Sequence, residues 1–382
     1  MIRCVVVSNL QSSTEPLTHQ FDVALLDLDG VVYIGADAVS GAAAALAEAR
    51  KQGMRLAFVT NNAARPPNVV AEHLTGIGVP AEPAEVITSA QAAAHYLADL
   101  VPPGSAVLVV GTVGLDEALT ERGLRPVHSA SDDVVAVVQG YSPDLDWRQL
   151  AEGAVAIRRG LPWVATNLDP TVPSARGPLP GNGALVAALR LATGVDPVAT
   201  GKPDPTMHRE SVQRAEAKRP IVVGDRLDTD VEGANAVGCA SLLVLSGVTT
   251  ARELLAAPAR LRPSYIARDV GGLLYAHAAP DLDETTATCG DWRARAGSGG
   301  ELTLSRSGGE GSDGGGDDSG EARTTRRDPQ PRSTLGDDLD PLRALCAAAW
   351  QRTSERDGEA ATPRCRADGE AAEKVLASLE LS

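Results

Sequence analysis

From residue 22 onward, short β-branched runs alternate with Ala/Leu-rich segments, and this alternation limits the fold more than any other feature of the chain. VALLDLDG is followed by GAAAALAEARKQG, then MRLAFVTNN, then PPNVVAEHLTGIG. Strand, helix, strand, helix is the pattern of a parallel α/β sheet, because parallel neighbours need a long crossover between them. It continues through AVLVVG (106–111), VVAVVQG (134–140), the helical LAEGAVAIRRG, PWVATN, GALVAALRLATG, IVVGD (221–225), VEGANAVG and SLLVLSG.

The 382 residues, 43% of them hydrophobic, suffice for sizeable cores and suggest two or three domains. A formal net charge of -15 argues against nucleic acid and against polybasic contact with membranes, and leaves small molecules as the expected partners. Five scattered cysteines, none in a C-x-x-C pair, indicate neither a disulfide framework nor a zinc site, and fit a reducing cytoplasm. Residues 1–20 read as an extension with too short an apolar run for a signal peptide, and no stretch approaches the length of a spanning helix.

Composition changes after about residue 283. The segment 306–338 is Gly, Ser, Asp, Glu and Arg with few apolar residues, and is expected to be disordered because it cannot bury enough surface to offset its ordering entropy. Around it, DWRARAGSGGELTLSRS predicts a hairpin and LDPLRALCAAAWQR an amphipathic helix, so 284–382 is expected to form a small α+β module.

In open parallel sheets ligands gather beyond the carboxyl ends of the strands. Four polar clusters stand at such places: Asp27 and Asp29 after an apolar run; Thr60, Asn61 and Asn62 after RLAFV; Lys202 in GKPDP; and GDRLDTD with Asp225, Asp228 and Asp230 after IVV. Each has an ordinary reading as a turn or a helix cap. DLDG does not fit a calcium-binding EF-hand, which needs glycine sixth and glutamate twelfth, where this chain has glycine fourth and Ala38 twelfth. Two carboxylates one residue apart at a buried strand end are costly unless a cation or a shared proton compensates them. Lys202 stands out because the 35 basic residues include only three other lysines, Lys51, Lys218 and Lys374.

DLDGVVY, TNN, GKPDP and GDRLDTD, in that order, resemble the haloacid dehalogenase superfamily and most closely its NagD-like branch, over roughly residues 22–275. The resemblance implies a Rossmann-like core at 21–100 and 197–280 with an α/β cap inserted at 101–196. It implies a phosphatase rather than a dehalogenase, since halide departs without a proton and dehalogenases lack the second acid, here Asp29. By the same resemblance Asp27 is the nucleophile that forms an aspartyl-phosphate and Asp29 the general acid/base. Thr60, Asn61, Asn62 and Lys202 would bind phosphate. Mg²⁺ would be held by Asp27, the Asp29 backbone carbonyl and Asp225, with Asp230 behind them; the sequence leaves open whether Asp228 takes the place of Asp230. Converging carboxylates would otherwise repel a phosphate ester.

Specificity is expected on ATNLDPTVPSARGPLPGNG (165–183), with Asn167, Asp169 and Arg176 as polar candidates. His73, His95, His128 and His208 lack ligand spacing and are expected at ordinary surface or core positions; Cys239 reads as a small buried residue. Trp147 and Trp163 are expected in the cap core. The core followed by a small module resembles bacterial members of the branch that carry such an extension, which implies glycerol 3-phosphate as the substrate. Phosphoglycolate or a sugar or nucleotide monophosphate stands second, and a metabolite sensor without activity is the non-enzyme alternative. The branch also implies a homodimer through the cap.

Overall fold

A computed structural model describes residues 10–35, 37–172, 176–297, 300–307, 337–353 and 362–382. Six parallel strands form the core sheet in the order Tyr265–Ala267, Ala240–Val244, Pro220–Gly224, Val23–Leu26, Arg55–Thr60, Val86–Thr88. The period of two along each strand sorts the apolar residues between two helical layers. Ala24, Leu26, Phe58, Ile221 and Val223 pack with Leu46 and Leu74 on one face, while Val23, Leu25, Ala57, Val59 and Val222 pack with Ala92, Met207 and Ala234 on the other. Burial on both faces explains why these strands read as unbroken apolar runs.

The cap is a second parallel sheet, ordered Val198–Ala199, Trp163–Ala165, Val134–Gln139, Ala106–Val110, Arg125–Val127. Helices Trp147–Arg158 and Asn182–Thr193 cover one face through Ala156, Ile157, Val186 and Leu189. Helix Ser89–Leu100 belongs to both bodies. Its Ala92 enters the core cluster, and Ala90, Ala93, Ala94 and Leu97 enter the cap cluster. A helix buried on several sides can bear small residues nearly throughout, as SAQAAAHYLADL does.

The C-terminal module is a meander, Asp281–Leu282, Thr286–Cys289, Trp292–Ala296, Glu301–Arg306, closed by Arg364–Asp368 in parallel. The expected hairpin is the Trp292–Ala296 and Glu301–Arg306 pair. Helix Asp340–Thr353 is not amphipathic as expected. Leu342, Ala344 to Ala349 and Trp350 are all buried, since the module sheet covers one side and the six-stranded core, through Leu243, Leu254 and Ile266, the other. The same cluster takes in Leu227 and Val231 of the core and Leu376 and Leu381 near the C-terminus.

Other expectations need correcting. The described part of 1–20 is no loose extension: Leu17 is fully buried, Leu10 joins the module cluster, and the backbone N–H groups of Gln11 and Ser13 donate to Ser264 O (2.9 Å) and His277 O (2.8 Å). The cap sheet runs on to Ala199, because Val198 pairs with Val164. At the ends of the segment expected to be disordered, Arg306 lies in a strand, Asp337 pairs with buried Arg343 (2.6 Å) and Asp338 pairs with Arg268 (2.5 Å); residues 308–336 lie outside the described residues. Trp163 is buried in the cap, but Trp147 is 78% exposed, because it opens the first turn of its helix after the Asp146 cap. No helix among the described residues is long and apolar enough to cross a membrane.

Candidate active site

Adjacent strands Val23–Leu26, Pro220–Gly224 and Arg55–Thr60 end at one rim, so Asp27, Asp225 and Thr60 converge there without any long reach. Asp27 continues the ladder, its N–H donating to Val223 O at 2.8 Å. Leu28 is buried, and the chain then turns sharply, with Val32 N and Tyr33 N donating to Leu28 O. Gly30 makes this turn available. Its φ is +82°, and a Cβ there would lie 2.4 Å from Asp225 Oδ2.

Lys202 is buried, and its ammonium donates to Asp27 Oδ1 at 2.5 Å, Asp230 Oδ1 at 2.7 Å and Val59 O at 3.4 Å. Three donors meet three acceptors. Burial alone would discharge the amine, but Asp230 and Asp27 outweigh it and raise its pKa.

Asp230 sits in the wide turn Leu227–Val231, buried, with Oδ2 accepting from Arg226 N at 3.2 Å. Asp228, two residues earlier, points to solvent and pairs with the Arg226 guanidinium at 2.9 Å. Within GDRLDTD, Asp230 thus faces inward and Asp228 outward.

Asp225 is buried, its Oδ2 accepting from Val248 N at 2.7 Å while Oδ1 has no hydrogen-bond partner. Burial and the Asp230 charge push its carboxyl up to about 6, and burial followed by the neighbouring Asp230 and Asp225 raises Asp27 well above its ordinary range against the pull of Lys202. Carboxylate oxygens of Asp27, Asp225 and Asp230 lie within 4.8 Å of one another. An orphaned buried carboxylate oxygen beside two more carboxylates, with one ammonium to balance the three, is an all-oxygen donor set short of positive charge, which a hard divalent cation such as Mg²⁺ fits. Asp29 stands in the cleft where water reaches it, yet the surrounding protein raises its pKa by burial, opposed by Lys202, Arg65 and His73.

The second cluster divides its work. Thr60 is buried, and its hydroxyl accepts from Asn62 N at 3.1 Å. Asn62 is exposed and its side chain accepts from Ala64 N at 2.8 Å, closing the turn. The Asn61 side chain accepts from Lys202 N (2.8 Å) and donates to Lys202 O and Asp169 Oδ2 (both 3.1 Å). Asn167 is buried in the seam between core and cap, donating to Asn61 O at 2.7 Å. Arg176 lies on the exposed turn between the short strands Thr171–Val172 and Leu179–Pro180.

His208 is buried, and burial together with the Lys202 charge lowers its pKa to about 4, which makes it a neutral core residue. His95 Nδ1 lies 2.6 Å from Oε2 of buried Glu210, His128 stands 3.4 Å from Asp116, and His73 packs edge-on against Tyr33. Cys239 is buried as expected. Sequence reasoning missed Val248, whose N–H orients Asp225; the Ser-Gly turn signal before it was the available hint. Arg65, whose charge acts on Asp29, carries no sequence signal that distinguishes it from other exposed arginines.

Family models described as haloacid dehalogenase-like hydrolase and HAD-hydrolase-like match residues 24–125 and 199–273, and one described as a GCN5-related N-acetyltransferase like domain matches 319–381. The chain is 49% identical over 257 residues to a D-glycerol 3-phosphate phosphatase of Mycobacterium tuberculosis, covering 67% of this chain and 72% of the relative. It is 34% identical over 252 residues to an acid sugar phosphatase of Staphylococcus saprophyticus, covering 65% of this chain and 95% of that one. Among solved structures it is similar to a glycerol phosphate phosphatase from Mycobacterium tuberculosis in complex with magnesium, with a TM-score of 0.80, 39% identity, and coverage of 97% and 100% of the two chains. A p-nitrophenyl phosphatase from Archaeoglobus fulgidus matches with a TM-score of 0.61 and 29% identity, over 66% of this chain and 98% of that one.

Proposed function

The chain belongs to the haloacid dehalogenase-like hydrolase family, and we propose that within it the protein is a Mg²⁺-dependent phosphatase that hydrolyses glycerol 3-phosphate to glycerol and phosphate. The observation that carries this reading is the Asp27 carboxylate, held at 2.5 Å by the Lys202 ammonium beside the orphaned oxygen of Asp225. That arrangement offers a nucleophile and fixed positive charge at one point.

In the first step a carboxylate oxygen of Asp27 bonds to phosphorus as the bond from phosphorus to the ester oxygen breaks, leaving an aspartyl-phosphate. Asp29 gives its proton to the departing alkoxide. In the second step Asp29 takes a proton from water, the water oxygen bonds to phosphorus, and the bond to Asp27 breaks, releasing phosphate. The raised pKa of Asp29 keeps a larger protonated fraction near neutral pH, as a proton donor needs. Lys202 neutralises charge on Asp27 and on the phosphoryl oxygens, and the Thr60 hydroxyl and Asn61 N–H orient those oxygens, with Asn62 shaping the turn that presents them. The residues that would hold Mg²⁺ are Asp27, Asp225 and the Asp29 backbone carbonyl, with Asp230 supporting them through Lys202, and its chemistry there is to neutralise the developing charge.

Choice of the alcohol is assigned to the cap segment carrying Asn167, Asp169 and Arg176, and the 49% identity to a glycerol 3-phosphate phosphatase supports glycerol. The acid sugar phosphatases among the relatives support a second reading, another small phosphate ester such as a sugar phosphate. The exposed cap residues Val155, Leu191, Val195 and Val198 support a homodimer through the cap, the acidic charge supports a small-molecule partner rather than nucleic acid, and the scattered cysteines support a reducing cytoplasm. Release of inorganic phosphate from glycerol 3-phosphate in Mg²⁺ tests the reading. Asp27→Asn is expected to lower kcat by at least ~10⁴-fold. Equal release by both proteins would refute the mechanism, and a panel of phosphate esters decides the substrate.

A further inference from the structure

The Asn61 amide does three things at once. It closes a two-way pair with the backbone of Lys202, accepting from its N–H at 2.8 Å and donating to its carbonyl at 3.1 Å, and it donates to the cap carboxylate of Asp169 at 3.1 Å. Its own backbone is pinned as well: Asn61 O accepts from Ser89 Oγ at 2.6 Å and from the cap residue Asn167 at 2.7 Å. Asn167 in turn accepts from Asp169 N at 3.1 Å, and its carbonyl accepts from Asn182 at 2.8 Å. The chain leading into Lys202 is equally tight. A Cβ on Gly201 would lie 2.2 Å from Thr166 O of the cap and 2.8 Å from Asn61 Oδ1. Only glycine lets the backbones of residues 201 and 166 and the Asn61 side chain meet.

Asn61 therefore holds the backbone from which the Lys202 ammonium reaches Asp27 and Asp230, and the cap shares the same amide. A cap that swings away loses the Asp169 and Asn167 bonds and frees the amide on that side. We propose that Asn61 is a positioning residue that couples docking of the cap to placement of the Lys202 ammonium, so that the site is fully assembled only when Asp169 is seated. The role rests on the phosphatase reading but is separate from phosphate binding by the Asn61 backbone. It also assigns Asp169 an action on rate that does not pass through contact with substrate.

A double-mutant cycle on the full chain, with glycerol 3-phosphate and Mg²⁺, tests it. Asn61→Ala is expected to lower kcat ~10- to 100-fold, the scale of a misplaced catalytic group, with KM changed less than kcat. Asp169→Ala is expected to lower kcat several-fold in the native background and to have no further effect in the Asn61→Ala background. Should Asn61→Ala fail to fold, Asn61→Ser takes its place in the same cycle and is read in the same way. Equal factors for Asp169→Ala in both backgrounds, an effect of Asp169→Ala on KM alone, or an unchanged kcat in Asn61→Ala would each overturn the coupling. A wild-type protein that releases no phosphate would instead refute the phosphatase reading, so the two failures are distinct.

Discussion

Replacing Asp225 by Asn should make the metal-free protein more stable while destroying its activity. The carboxyl is buried, one of its oxygens has no hydrogen-bond partner, and burial with the Asp230 charge pushes its pKa from 3.8 to about 6. A folded pKa above the unfolded one means that the native state binds more protons between those values. Stability is then lost as pH rises through the window from about 4 to 6, and the full cost is present above it. At ~1.4 kcal/mol per pH unit the interval corresponds to ~3 kcal/mol. Asn removes the charge and keeps an acceptor for Val248 N–H. Thermal unfolding of chelator-treated protein at about pH 7.5 should thus show the variant unfolding at higher temperature than the wild type, with the gap closing near pH 4. Excess Mg²⁺ should stabilise the wild type and leave the variant little changed, since only the wild type gains binding energy in the folded state. A variant less stable than the wild type without metal at pH 7.5, or a gap that persists unchanged at pH 4, would refute the reasoning.

Lys202→Met strips the counter-charge from Asp27 and Asp230; kcat should fall ~10²- to 10³-fold, and added Mg²⁺ should not restore it in phosphate-release assays. Gly30→Ala places a Cβ against Asp225 at a positive φ, and should raise the Mg²⁺ concentration for half-maximal activity at least ~10-fold in a titration. Trp350→Ala removes a fully buried ring that donates to Leu254 O at 3.1 Å and lies 5.2 Å from the Arg262 guanidinium; a loss of ~3–5 kcal/mol should appear as earlier unfolding in calorimetry, although the residue touches no catalytic group.

What the sequence makes legible is whatever short-range chemistry determines. Strands buried on both faces must be continuous apolar runs, so their carboxyl ends, and with them Asp27, Thr60 and Asp225, can be located by reading along the chain. Lys202 is legible because its residue type is scarce. The choice between Asp228 and Asp230 is not, since both are acids in one short turn and only its wide backbone sends one inward. The seam is hidden for a different reason: Asn61 meets Asp169 and Lys202 from 108 and 141 positions away, and no local pattern records such a meeting. Trp147 misled because apolar character states a preference for burial without saying which turn of a helix receives cover. Residues 10–20 read as an extension for the opposite reason, as a few backbone bonds and two leucines are too sparse to form a periodic signal.

Leu227, Val231, Leu243, Leu254 and Ile266 share one apolar mass with Leu345, Trp350, Leu376 and Leu381. The catalytic half was thus built with a bare flank that its tail must upholster. Cutting the gene after the last core strand would yield a sticky fragment prone to self-association, unless that flank were first rewritten with polar side chains. Appendage and hydrolase have become tenants of a single oil drop, and selection on either one is felt by both.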